Sequence, residues 1–426
     1  MRLAGTVRAL DVVAVAVAAI TLFVAGRAWE RTRTPRPETG PPALELAAAS
    51  APAVREEALR LYAAGQFPHA CERFSRAADD VPSSAAAQDL ARCFEGWGWQ
   101  ALRDGRPDEA RVLFGQGLRQ APDDPGLLRG LGVAAIHEGR PGDALDPLER
   151  AVGAGSDTEV RLLLARLYDQ RDDAERALFH IRTVLDREPE NAGARRLLDK
   201  VERERTAEAG FHRELTPHFI VKYRGGRDGG STRAVVRALE GAWARIGTQL
   251  GWRPDERVTA VLYENVQFRT VTRVHSWVTG LFDGKIRLPL GTTSSAPAAL
   301  ERLVLHEYAH AAVHELSRGH APRWLHEGLA QVLEGATADP LLRVPGGLTL
   351  AGLEALITDP DPARARVGYD VALWVTQDLV DRGGFPAVRQ VLERLGGGDT
   401  LAAAMTRVYG VRLSELESQW RNLLGG

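Results

Sequence analysis

Lysine is almost missing from this 426-residue chain, where Lys200, Lys222 and Lys285 are the only three among 54 basic residues. With Ala and Gly abundant, this reads as compositional bias, so no Arg gains functional weight from its type alone. Cysteine is scarcer still, with Cys71 and Cys93 alone. Two cysteines cannot build a disulfide framework or a cysteine-only structural zinc site. They leave either one optional bridge or two small buried apolar residues. Neither charge sign is in excess: 54 Lys plus Arg face 56 Asp plus Glu, for a formal net charge of −2. No global field then draws the chain to nucleic acid or to an anionic membrane. Past residue 26 no apolar run reaches membrane-spanning length, which excludes a polytopic membrane protein. What remains is ordinary for a folded chain, 44% hydrophobic and 26% charged, and the length favours about two to three domains.

The first thirty residues carry Arg2 and Arg8, then an apolar run from Val12 to Gly26, then Arg27, Trp29, Arg31, Arg33 and Arg36. This pattern is a signal anchor or a signal peptide. No clear small-residue cleavage site precedes the arginines, which favours the anchor. Arg2, Arg8 and the terminal amine argue for the N-terminus inside, whereas the arginines after the run argue the opposite. The expectation is a membrane-anchored chain with its body exported to the cell envelope, or a secreted one if the segment is cleaved. Residues 31–52, rich in Pro and Ala, read as a semi-extended spacer.

A repeat follows. The turn residues Gly65, Gly105, Gly139 and Asp172 are each followed five positions later by Ala70, Ala110, Ala144 and Ala177, and four beyond that by Phe74, Phe114, Leu148 and Ile181. Small residues at fixed phase let paired helices approach, large apolar ones fill the seam between repeats, and Pro82, Pro122 and Pro189 end second helices. Residues 53–205 resemble the tetratricopeptide repeat. That resemblance implies either a surface for a protein partner or an inert spacer. Cys71 and Cys93 would lie on neighbouring helices, where a disulfide is sterically conceivable. A charged helix over 195–205 caps the array.

Beyond residue 206 the pattern changes. HFIVKY (218–223), RVTAVLY (257–263) and KIRLPL (285–290) read as strands, with a helix over 232–250, and residues after Pro297 read as helices broken at Gly319, Pro340, Gly346, Pro360 and Gly383. Within the first of these helices stands His306-Glu307-Tyr308-Ala309-His310. A spacing of four puts both imidazoles on one face, about 6 Å of rise apart, where both can reach a metal bound at ~2.0–2.1 Å. Glu307 is turned about 100 degrees away, placed to take a proton from a water rather than to ligate.

The third ligand decides the class. A metzincin would have His where Leu316 stands. Instead PRWLHEGLAQVLE follows, placing Glu327 seventeen residues after His310. This two-part motif resembles the gluzincin metallopeptidases, specifically the peptidase MA-like family, over about residues 211–424, including the terminal pattern from Tyr409 to Trp420. The resemblance implies one Zn2+ per chain held by His306, His310 and Glu327, with Glu307 as general base and water attacking a peptide carbonyl. It also implies an oxyanion-stabilising Tyr or His, for which Tyr369 is the candidate beside an ordinary buried tyrosine.

Other residues near the motif have plainer readings. His314 lies about 12 Å along the helix from His306, too far to share its ion, and reads as a cap or surface residue. His326 points away from Glu327, toward solvent or the rim of the site. Gln331 and Glu334 share the face of Glu327 and are candidates to orient an imidazole. His275 and Asp283 either line the cleft or are loop residues, and KIRLPL is either an ordinary edge strand or one that pairs with an extended substrate. Arg302, Glu301, Glu315 and Arg318 around the helix exclude an intramembrane protease.

The expected architecture is an α-helical tetratricopeptide solenoid (53–205) followed by an α+β zincin-like catalytic domain (206–426). The expected function is zinc-dependent peptide hydrolysis on a peptide or protein substrate, with a protein partner held by the repeats and the membrane by residues 1–30. The alternative is a non-catalytic repeat scaffold with a structural or degenerate zinc domain.

Overall fold

The computed structural model describes residues 52–154, 158–225, 229–273, 280–289, 297–338, 342 and 348–424. The expected membrane segment and nearly all of the spacer after it lie outside these residues, as do His275, Pro340 and Gly346. Among the described residues no helix is long and apolar enough to cross a membrane. The chain divides into two compact bodies that part between Val201 and Glu202.

The first body is helical throughout: α1 (Pro52–Ala63), α2 (Phe67–Asp80), α3 (Ser84–Arg103), α4 (Pro107–Gln120), α5 (Pro125–His137), α6 (Leu145–Ala154), α7 (Thr158–Gln170), α8 (Ala174–Arg187) and the start of α9 (Ala192–Ala207). Its turns fall where the repeat phase puts them. Gly65, Gly105 and Gly139 have φ of 72°, 72° and 76°, and Asp172 has 64°, a left-handed conformation that ends one helix so that the next can fold back. The phased side chains Ala70, Phe74, Ala110, Phe114, Ala144, Leu148, Ala177 and Ile181 are all buried. Close approach needs the small residues: a Cβ on Gly98 would lie 2.6 Å from the Phe114 ring, and one on Gly132 would lie 2.5 Å from Leu148. Start signals recur as well, with Ser83 accepting from the Ala86 amide at 3.1 Å and Asp124 from that of Leu127 at 3.0 Å. Cys71 on α2 and Cys93 on α3 form a disulfide, their Cα atoms 5.5 Å apart.

The second body takes the end of α9 and then β1 (Phe211–Leu215), β2 (Phe219–Arg224), α10 (Gly229–Gln249), β3 (Val258–Tyr263), α11 (Asn265–Thr272), β4 (Leu281–Phe282), β5 (Ile286–Pro289), α12 (Pro297–Ser317), α13 (Arg323–Glu334), α14 (Leu350–Ile357), α15 (Pro362–Gly396), α16 (Leu401–Tyr409) and α17 (Leu413–Leu424). The sheet order is β1-β2-β3-β5-β4, with the two outer pairings antiparallel and the two inner ones parallel. Strand β3, apolar on both faces, is the buried centre, as parallel strands require. Its side chains share one core with Leu239 and Ile246 of α10 and with Val304 and Tyr308 of α12. The long α15 kinks at Gly384, φ 69°, two residues before Pro386, next to the expected break at Gly383.

One expectation is corrected here. KIRLPL is not an edge strand: β5 pairs with β3 on one side and, through Ile286 and Arg287, with β4 on the other. The two-residue β4, too short to show in sequence periodicity, takes the edge. Arg287, only 1% exposed, anchors this corner by donating to Tyr263 Oη at 2.7 Å and Asp283 Oδ1 at 3.0 Å and by pairing with Glu204 at 2.9 Å. Asp283 is thereby engaged with Arg287.

Candidate metal centre

Helix α12 has buried residues on every side between Leu303 and Val313, because the sheet, α10, α13 and α15 enclose it. In such a helix polar residues are costly unless they are paired or hold an ion. His306 and His310 are each 1% exposed, and Glu307 and Glu327 are fully buried. Glu327 comes from α13, which starts after Pro322 and ends at Gly335 with φ 86°. Trp324 anchors that helix: its amide donates to Glu354 at 3.0 Å, and its ring packs edge-on against Trp420 at 6.4 Å. Trp420 in turn donates from Nε1 to Asp378 at 2.8 Å, and Tyr409 donates to the Leu379 carbonyl at 3.1 Å. The terminal pattern thus braces α13 and α15.

These elements bring the expected ligands together. One donor atom from each of His306, His310 and Glu327 lies within 4.8 Å of the others. Glu327 Oε2 is 3.7 Å from His306 Nε2 and 3.8 Å from His310 Nε2. Those separations are too long for hydrogen bonds and near the ~3.4 Å edge of a tetrahedron with ~2.0–2.1 Å bonds. Both ring nitrogens of each histidine and both carboxylate oxygens of Glu307 and Glu327 are buried without a hydrogen-bond partner among the described residues. A buried set of two imidazoles and a carboxylate, orphaned and convergent, fits a zinc ion.

The buried groups also perturb one another's protonation. Burial opposes charge on His306, yet Glu334, Glu327 and Glu307 together hold its pKa well above the usual histidine range. Burial and the neighbouring His306 and His326 push His310 well below it, leaving a neutral imidazole. Burial pushes Glu307 up to about 8, with His306 opposing and Glu327 and Glu334 adding to the rise.

The other candidates sort by contact. Glu334 Oε2 lies 3.5 Å from His306 Nδ1, placing it to orient that imidazole. Gln331 takes no part in this, since its Nε2 donates to the Tyr369 carbonyl at 3.0 Å and the Glu327 carbonyl at 3.3 Å. Tyr369 on α15 is 1% exposed, with its hydroxyl lacking a hydrogen-bond partner among the described residues. Its pKa is raised far above the usual value by burial and by Glu327, against the opposing field of Arg323, so its hydroxyl stays protonated. His326 is half-buried, its ring 5.9 Å from that of His310, and burial with His314 and Arg323 lowers it to about 3. The His314 ring sits 6.1 Å from Phe282, apart from the ligand set.

Sequence reading passed over three residues. Arg323, 6% exposed, stands one helical turn before Glu327 and acts electrostatically on it and on Tyr369. Gly328 has no room for a Cβ, which would strike Thr376 Oγ1 and the Ala372 carbonyl, so α15 can carry Tyr369 close. Gly280 faces the Glu307 side chain across a similarly narrow gap. The Glu-Gly pair at 327–328 was a legible signal for the second; neither of the others had one.

Comparison with known proteins finds tetratricopeptide-repeat proteins. A family model described as Tetratricopeptide repeat matches residues 101–167. Anaphase-promoting complex subunit 7 of Arabidopsis thaliana is 29% identical over 97 residues, 23% of this chain and 17% of that protein's length. Among solved structures, TTC0263, a thermophilic tetratricopeptide-repeat protein of Thermus thermophilus, is similar at 19% identity over 42% of this chain and 90% of its own, with a TM-score of 0.24. The tetratricopeptide domain of P58(IPK) is similar at 14% identity over 78% and 80%, with a TM-score of 0.28. The family match spans the turns at Gly105 and Gly139 and supports tetratricopeptide repeats within the helical array.

Proposed function

We propose that residues 206–426 form a zinc-dependent peptide hydrolase of gluzincin type and that the repeats recruit a protein substrate or partner. The observation that carries the hydrolytic half is the convergence of His306, His310 and Glu327 around orphaned buried nitrogens and oxygens, with Glu307 buried beside them. When bound, the ion would supply Lewis-acid activation of water and of a carbonyl oxygen. Glu307, one residue along the helix from a ligand, takes a proton on its carboxylate and returns it to the leaving amine. Tyr369 offers its protonated Oη as a donor where negative charge develops on the substrate oxygen. Glu334 holds the ring of His306, and burial keeps bulk water from the ligands. Tethering to a membrane through residues 1–30 belongs to the same proposal and rests on the sequence pattern alone.

A second reading has support from the comparisons, which bear on the repeats: a protein-interaction scaffold whose zinc domain performs no turnover. Arrays of this kind present an extended surface to partners. The presence of Glu307 favours hydrolysis, because a structural zinc site has no use for a buried base beside it. The deciding experiment is Glu307→Gln in the full chain. The expected outcome is about one zinc per chain in both proteins, with peptide cleavage by the wild type and none by the variant. Equal cleavage by the two would overturn the hydrolytic reading and leave the scaffold.

A further inference from the structure

Gly280, buried, immediately precedes β4. A Cβ built on it would lie 2.7 Å from both Cγ and Cδ of Glu307, and closer still to Oε1. All three nearest atoms therefore belong to the proposed base. Carbon atoms in contact prefer about 3.5–4.0 Å, so a methyl group here forces one partner to move. The backbone that follows Gly280 and the helix that carries Glu307 are both held in place. Leu281 and Phe282 are held in register against Arg287 and Ile286, and Arg287 is locked to Asp283, Tyr263 and Glu204. Glu307 rides on a fully enclosed helix between His306 and Tyr308.

Gly280 lies outside the strand, and space for the Glu307 side chain is a reason for glycine here. We propose that Gly280 is a positioning residue: its missing side chain is the room in which the Glu307 carboxylate is held for proton transfer. This rests on the hydrolytic reading above. A displacement of about 1 Å at a reacting group can cost about 100-fold in rate, which sets the scale of the expected effect.

The test uses the full chain and a mixture of quenched fluorescent peptides. Gly280→Ala should lower kcat by about 10- to 100-fold while leaving KM and zinc content unchanged, a split that general loosening of the fold would not produce. A second measurement needs no activity. Gly280→Ala should lower the urea midpoint in the wild-type chain and leave it unchanged or raise it in a Glu307→Ala background, where the obstructed atoms are gone. If Gly280→Ala alone fails to fold and the double variant folds, the coupling stands. An equal loss in both backgrounds, or an active wild type matched by an equally active Gly280→Ala, overturns this inference and leaves the peptidase reading intact. A wild type with no cleavage of any peptide overturns the peptidase reading and with it the catalytic role of Gly280.

Discussion

Replacing Glu334 with Ala isolates the group that touches a proposed ligand without being one. Its carboxylate lies 3.5 Å from His306 Nδ1, and both side chains are buried, 4% and 1% exposed. A ligating imidazole is neutral, so what is lost is a carboxylate placed beside its Nδ1 rather than an ion pair, and losing an outer partner of this kind costs about 10- to 100-fold in metal affinity. At zinc equal to 100 times the wild-type Kd, binding stabilises the fold by about 2.7 kcal/mol. At the same zinc concentration the variant would retain between about 1.4 and 0.4 kcal/mol, from the same logarithmic relation. Chelator competition reads the affinity directly, and thermal unfolding with and without zinc reads the stabilisation. Glu334→Gln, which keeps an acceptor, should recover part of the loss. A Kd for Glu334→Ala within a factor of two of the wild type would refute the claim that this contact orients His306.

Tyr369→Phe should lower kcat by about 100- to 1,000-fold, the scale of losing one oxyanion donor, with zinc content unchanged; an unaltered kcat assigns Tyr369 to the core. Cys71 and Cys93 close a loop with a sequence separation of 22, and the chain-entropy relation gives a loss of about 3 kcal/mol on their replacement by Ala. Urea unfolding of the repeat body checks this, and an unchanged midpoint would contradict it. His180, 1% exposed, stacks on Tyr168 at 5.7 Å and sits 3.1 Å from Glu149. Burial lowers its pKa below 6.5, with Glu149 opposing. Below pH 6.5 the unfolded chain therefore binds more protons than the folded one, and stability falls as pH falls through that range. His180→Gln should flatten this slope, and a slope identical to wild type would remove His180 as its cause.

Much of the molecule was legible in the residues because it depends on local rules. The turn positions 65, 105, 139 and 172, the buried positions phased to them, and the strands near 219–224, 258–263 and 286–289 follow from periodicity and chain reversal. The two-residue β4 was not legible, since two residues carry no period, and without it β5 was misplaced at the edge. Gln331 and Glu334 shared one helix face in the sequence, and nothing there distinguished their roles; packing against α15 drew Gln331 to the Tyr369 carbonyl and left Glu334 to His306.

The sequence by itself determined the repeat, the strands and the chemical identity of the donor set, because spacing along one helix is set by covalent geometry and hydrogen bonding within about four residues. Only the tertiary structure decided that Glu327 meets both histidines, that Glu334 braces one of them, and that Gly280 stands against Glu307. Those contacts join atoms from α12, α13 and the approach to β4, and their distances arise from how the elements pack, which no pattern along a single element records.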